Sequence, residues 1–353
     1  MKTLSICMIV KNEEQTLERI LKQAQQFADE IIIVDTGSID STISIAKKYT
    51  DKIFTFAWCD DFSKARNFSL SKATKDYSMW LDADDNISNE NILKIQKLKE
   101  SLSADIYMCK YIINSNNSSF QFYRERIFKT SLRLKFEGFI HEAIPLSGNI
   151  QYTDIEVEHK KEKPNDPKRN FNIYKKALLK GIQFNPREQY YFSRELYYLG
   201  KYTQCITNLK KYFKMHDSFI PNIIGAYTII ADCYIKKNQH NLAKKELLKI
   251  IYQHPPTAEI CCKLAHCYEN ERNINLAIFW YKCALNAPQN TLGFEYAEYR
   301  NLIPNIELSR LLYHSDKTAA KHYHQQAKQE NPNHPSVIYN EQFFNKSTHN
   351  PNQ

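Results

Sequence analysis

Glycine is scarce, with 7 residues in a chain of 353. Loop-rich all-β proteins use glycine at their turns, so the shortage argues for a large helical share. No G-x-G-x-x-G follows the first apolar run, which disfavours a nicotinamide dehydrogenase. No G-x-x-x-x-G-K-[ST] occurs, which removes P-loop nucleotidases, and there is no G-x-S-x-G elbow. No stretch nears the roughly 20 apolar residues of a membrane span. The opening "MKTLSICMIVKNEE" meets Glu13 and Glu14 too soon for a secretory leader. The 9 cysteines are scattered and form no C-x-x-C. These absences together predict a reduced, cytoplasmic protein.

The charge is one-sided, at +9. A lysine-rich solvated face explains it better than a nucleic-acid surface, because no zinc-finger, homeodomain or RNA-recognition spacing accompanies it. No nucleic-acid partner is expected, although such a surface can steer an anionic substrate.

The first hundred residues alternate between apolar runs and helical spacing. "LSICMIV" (4–10), "EIIIVD" (30–35), "KIFTFAW" (52–58) and "YSMWL" (77–81) read as strands buried on both faces. "EEQTLERILKQAQQF", "TGSIDSTISIAKKY" and "SKARNFSLSKA" between them read as helices. This alternation predicts a parallel, Rossmann-like α/β sheet, which binds ligands at the carboxyl ends of its strands. From about 105 to 160, "DIYMCKYII", "SFQFYRERIFK" and "IEVEHK" predict further, antiparallel strands. The turn-rich "KEKPNDPKRN" (160–169) marks a boundary. The expected division is 1–162, an α/β domain; 163–340, an all-α repeat domain; and 341–353, a polar tail.

The second part repeats itself. Ala231 and Ala265, Tyr234 and Tyr268, and Ala243 and Ala277 are each 34 residues apart, which is the tetratricopeptide period. "ELYYLGKYTQCITNLKKYF" (195–213) reads as an earlier repeat turning at Gly200, and "AAKHYHQQAKQENPNHP" as a degenerate last one. The alternative is an unrelated helical bundle.

At the end of the fourth strand, "SMWLDADDNIS" places Asp82, Asp84 and Asp85 in four positions. Such acids raise each other's pKa unless something positive lies between them. A hard divalent ion suits them, since Mg²⁺ is usually held by one or two carboxylates plus substrate phosphates. The alternative is that Asp84 and Asp85 form a turn or cap the helix beginning near Ser88–Glu90.

The segments "CMIVKNEE", "IIIVDTGSIDST", "DDFSKARNFSLSKA", "WLDADD" and "GFIHE", in this order, resemble family 2 glycosyltransferases with the GT-A fold over roughly residues 3 to 160. The resemblance implies transfer of a sugar from a nucleotide-activated donor, usually with inversion, using Mg²⁺ or Mn²⁺. It places Val10 and Asn12 near the nucleobase or ribose, Glu14 on the ribose, and Asp35 on the uracil imide. Asp61 and Arg66 would complete the base and diphosphate pocket, where a guanidinium donates bidentately. Asp82 and Asp84 would form the D-x-D pair, with Asp82 near the ribose and Asp84 on the metal. Glu142 matches the family's His-Glu segment and would be the base or sit beside it. His159 resembles a late metal-binding histidine, with His141 as the alternative ligand. Two departures stand out. Phe139-Ile140 precedes His-Glu, and Lys160 and Lys161 follow the late histidine.

A transferase domain fused to such repeats also resembles the sublancin-type peptide S-glycosyltransferases. That resemblance implies a UDP-sugar donor and a cysteine or serine of a bacteriocin-like peptide as acceptor, held by the repeats. A glycan or lipid-linked acceptor is the second reading. A peptide-binding adaptor with an inactive transferase domain and a sugar-1-phosphate nucleotidyltransferase are the others. The helical repeats suggest a homodimer.

Overall fold

The structure is a computed structural model that describes residues 1–115, 118–160, 166–216, 219–288 and 296–346. The chain divides into two compact units, Met1–Phe192 and Ser193–Gln353.

The first unit is built on one eight-stranded sheet, comprising β1 (Leu4–Val10), β2 (Glu30–Asp35), β3 (Ile53–Thr55), β4 (Tyr77–Leu81), β5 (Asp85–Asn86), β6 (Ile106–Ser115), β7 (Ser118–Lys129) and β8 (Ile150–His159). Its order is β3-β2-β1-β4-β7-β6-β8-β5. Helices α1 (Leu17–Ala24), α2 (Thr42–Ala46), α3 (Phe62–Leu70) and α4 (Asn89–Ser101) connect the strands. Strands β1 to β4 pair in parallel, as their continuous apolar runs require. Leu4, Ile6, Met8, Ile33, Met79 and Leu81 are wholly buried, and Leu17, Ile20, Leu21 and Ala24 of α1 join them in the main core.

One expectation for the later strands needs correction. β7 is antiparallel to both β4 and β6, but β8 runs parallel to β6. The long connection from 129 to 150 lets the chain return to the far side of β6 in the same direction, which a short hairpin cannot do. Of the two acids for which a turn was the alternative, Asp84 does lie in one, while Asp85 belongs to a strand: β5 pairs antiparallel with the end of β8, setting Asp85 opposite His159. The helix that follows begins where expected, with the Ser88 side chain accepting from Asn91 N at its N-cap.

The expected 162/163 boundary falls in residues 161–165, outside the described residues. The first unit continues through α5 (Arg169–Leu179) and into α6 (Pro186–Tyr198). Tyr174, Phe184 and Phe192 pack there with centroids 5.3 to 5.8 Å apart. Lys176 also pairs with Asp60 at 2.9 Å.

The second unit is helical: α7 (Tyr202–Tyr212), α8 (Ile220–Lys236), α9 (His240–Ile251), α10 (Ala258–Asn270), α11 (Ile274–Leu285), α12 (Ala297–Arg300), α13 (Leu302–Leu312), α14 (Lys317–Glu330) and α15 (Pro335–Lys346). Ala231, Ala243, Ala265 and Ala277 are wholly buried, which lets paired helices approach closely. Gly200, Asn238 and Arg272 all take positive φ at the turns between helices. The next residue's amide closes each turn in the same way: Lys201 N to Leu196 O, Gln239 N to Tyr234 O, and Asn273 N to Tyr268 O. These are repeated Schellman caps. Helix α15 runs to Lys346, so the first part of the expected tail is helical, and 347–353 lie outside the described residues. Among the described residues no helix is long and apolar enough to cross a membrane.

Candidate active site

The carboxyl ends of β1, β2 and β4 lie side by side, with Val10 in register with Asp35 and Met8 with Leu81. Val10 is buried, and its carbonyl accepts from Thr36 N and Thr36 Oγ1. Asn12 stands in the left-handed region at φ 56. Its amide donates to Ser38 Oγ at 2.9 Å and its Oδ1 accepts from Ile39 N at 2.8 Å. Glu14 accepts from Ser41 N at 3.1 Å. Asp35 is buried and accepts from Gly37 N and Ser38 N at 3.1 to 3.2 Å. These expected donor-site residues therefore shape the loop after β2. Asp61, also buried, caps α3 by accepting from Lys64 N at 3.1 Å and Ser63 Oγ at 2.8 Å.

The structure draws the remaining residues into two groups. In one, Arg66 links two acids, with Nη2 on Asp82 Oδ1 at 2.7 Å and Nε on Glu142 Oε1 at 2.6 Å. Burial alone would lower the Arg66 pKa, but the two carboxylates raise it above its ordinary value. For Asp82, burial is opposed by Arg66, Arg126 and Arg124, and the carboxyl is held below its usual range. In the other group, Asp84, Asp85 and His159 each bring an atom within 4.8 Å of the others. The β5–β8 pairing makes this meeting, extended by Lys160 N donating to Asp84 O at 2.9 Å. His159 Nδ1 lies 3.5 Å from Asp84 Oδ1 and is buried with no hydrogen-bond partner. Burial would lower its pKa, but Asp84, Asp85 and Asp82 raise it.

Asp85 is a different case. It is wholly buried in an ion pair with Arg126 Nη1 at 2.9 Å, and it accepts from Asp82 N at 2.9 Å. Burial, with the charges of Asp82 and Asp84, pushes it up to about 6 despite Arg126. His141, the alternative ligand, is outside this cluster, and its ring stacks on Tyr191 at 4.3 Å. Lys161 lies outside the described residues.

Sequence reasoning missed Arg124 and Arg126, which lie two apart on one face of β7. Among the described residues Arg126 is the largest wholly buried side chain, and it lies 3.7 Å over the Trp80 ring. Arg124 lies 4.8 Å and Arg66 4.5 Å from the same ring. The signal was visible in "FYRERIFK": at period 2 the two arginines share a strand face with Phe122 and Phe128.

Glycosyl transferase family 2, as a family model, matches residues 5–157. The chain is 28% identical over 256 residues to the SPbeta prophage-derived glycosyltransferase SunS of Bacillus subtilis, covering 67% of this chain and 60% of that protein. It thus spans about 60% of the length of that relative. A TPR repeat-containing protein of Synechococcus elongatus is 42% identical over 87 residues, covering 25% of this chain and 22% of that protein. Among solved structures, residues 1–349 of S. aureus TarS align over 80% of this chain and 91% of that one at 13% identity, with a TM-score of 0.37, a superposition too loose to argue from. Residues 5–157 thus match glycosyl transferase family 2, and tetratricopeptide-like repeats follow them in the chain.

Proposed function

We propose that this chain moves a sugar, a hexose, from a UDP-sugar to a cysteine or serine side chain of a peptide or protein, with inversion and with Mg²⁺ or Mn²⁺. The observation that carries this reading is the gap between Asp84 Oδ1 and His159 Nδ1, 3.5 Å wide and lined by a buried nitrogen that makes no hydrogen bond. Ligands at about 2.0–2.1 Å around an octahedral ion stand roughly 3 Å apart, so these two atoms fit as neighbouring ligands after a small inward movement. Asp84 and His159 would hold the ion, which supplies positive charge against the departing diphosphate.

The other residues follow from their positions. Asp82 faces the ribose from the end of β4, while Val10, Asn12, Glu14, Asp35 and Asp61 shape the walls for the nucleoside. Arg66 keeps a fixed positive charge between Asp82 and Glu142. Glu142 takes the acceptor's proton as the acceptor attacks from the face opposite the leaving group, a single displacement that inverts the anomeric carbon. A cysteine acceptor, with an ordinary pKa near ~8.5, asks less of that base than a serine hydroxyl. The repeats offer the extended surface on which such arrays take peptides.

Mass spectrometry of the full chain with Mn²⁺ or Mg²⁺, a panel of UDP-sugars and cysteine- or serine-bearing peptides tests this reading. A hexose-sized gain on a peptide, absent with Asp84→Ala, is the expected result. Full transfer by Asp84→Ala would sink the metal assignment. UDP release without peptide modification would move the acceptor to a glycan or lipid-linked sugar.

A further inference from the structure

We propose that Arg187, in a segment that the sequence alone assigns to the repeat half, is a positioning residue for Glu142. The inference rests on the reading of Glu142 as the base. Arg187 Nη2 and Nε both donate to the carbonyl of His141, at 2.7 and 3.3 Å. Tyr191, one helical turn further along α6, lies flat on the His141 ring at 4.3 Å with an 18° angle between planes. Arg187 also lies 5.0 Å over the Tyr191 ring. The peptide that leads into Glu142 is therefore gripped from one side by both groups.

The grip matters because it acts on the peptide next to Glu142, in a loop also held where Phe139 O accepts from Phe62 N at 2.9 Å. His141 stands at φ 55, a left-handed conformation uncommon for a residue other than glycine, which its surroundings must hold. The loop is closed at its base by the Glu137–Ala143 bridge. Beyond His141, Arg124 Nη2 donates to the Glu142 carbonyl at 3.1 Å, and Arg66 holds the Glu142 carboxylate. Arginines thus fix the carbonyls on either side of the Glu142 Cα and the side chain itself. Removing the first lets the left-handed peptide relax and swings the carboxylate.

Local sequence places Arg187 there. "NPRE" begins α6 as a reciprocal cap, with Asn185 N donating to Glu188 Oε2 at 3.1 Å and Glu188 N to Asn185 Oδ1 at 2.9 Å. Pro186 occupies the first helical position, where its missing N–H costs nothing. The start of the helix is therefore fixed to the residue, and Arg187 and Tyr191, four apart, share one face.

The test uses the full chain as wild type, Arg187→Ala, Arg187→Lys, Glu142→Gln and the Arg187→Ala/Glu142→Gln double variant. Hydrogen exchange of the amides from 138 to 143 is read first, because it needs no substrate. Faster exchange confined to this loop is expected in Arg187→Ala. Near-wild-type exchange is expected in Arg187→Lys, which can still donate to one carbonyl. Unchanged exchange in Arg187→Ala would overturn the proposal. UDP release from UDP-glucose, UDP-galactose and UDP-N-acetylglucosamine with Mn²⁺ is then followed. A misplaced base costs on the order of 100-fold, so kcat of Arg187→Ala should fall by about that factor with the donor KM unchanged and Arg187→Lys largely rescued. The alanine change should cost nothing further in the Glu142→Gln background, since both act through one group. Full additivity, or a loss seen only in KM, would overturn the positioning role. A wild-type chain that turns over none of the donors would instead overturn the proposed function, and loop exchange would still decide whether Arg187 holds the loop.

Discussion

Carboxylates packed as closely as Asp82, Asp84 and Asp85 repel one another unless each finds its own counter-charge. Arg66 meets Asp82 and Arg126 meets Asp85, which leaves Asp84 facing His159. The acids were legible in the sequence because they are adjacent there. Their arginine partners were not, because Arg66 and Arg126 come from other elements, and nothing local says which strand will neighbour β4. Glu30 shows the same physics away from the site. It is buried beside Lys52 and also accepts from Ser5 Oγ, Thr74 N and Thr74 Oγ1. Burial would raise its pKa, but Lys52, Ser5 and Thr74 lower it from 4.5 to about 2. A carboxyl with a depressed folded pKa stabilises the fold above its unfolded pKa and loses that contribution as pH falls towards the folded value. Glu30→Gln is therefore expected to cost about 1–3 kcal/mol near neutrality. Its gap to wild type in urea midpoint should close between pH 4.5 and 2. A gap independent of pH would contradict this account.

At the scale of elements, β1, β2 and β4 appear with the limits their apolar runs suggested, because burial on both faces writes a continuous signal. The two-residue β5 carries no such signal and exists only because β8 supplies a partner. The direction of β8 was equally hidden, since strand direction is set by the connection and not by composition. The repeat turns were half legible. Gly200 marks one openly, while Asn238 and Arg272 fill the same left-handed role. Arginine is poorly suited to φ 61. Because Arg272 is exposed, its side chain gives little back. Arg272→Gly should relieve that strain against a small gain in unfolded-chain freedom, a net stabilisation of about 0.5–1 kcal/mol. Urea unfolding of the full chain, monitored by helical circular dichroism, reads it, and a lower midpoint would show that the turn is not strained.

At the scale of the molecule, the first unit has its core around β1, β2 and β4, and the second has its own around Cys261, Ala265, Ala284 and Leu308. Separate cores unfold as separate cooperative events, so calorimetry of the full chain should resolve two transitions. The donor-site and metal-site residues proposed above, from Val10 to His159, all lie in Met1–Phe192. A ligand that binds only the folded form stabilises it by RT ln(1 + [L]/Kd), about 2.7 kcal/mol at a hundredfold excess over Kd. UDP with Mn²⁺ should therefore raise one transition and leave the other in place, and Asp84→Ala should abolish the shift without moving the ligand-free transition. A shift of the second transition alone would remove the donor site from the α/β unit. A single transition shifted as a whole would show that the two cores unfold as one.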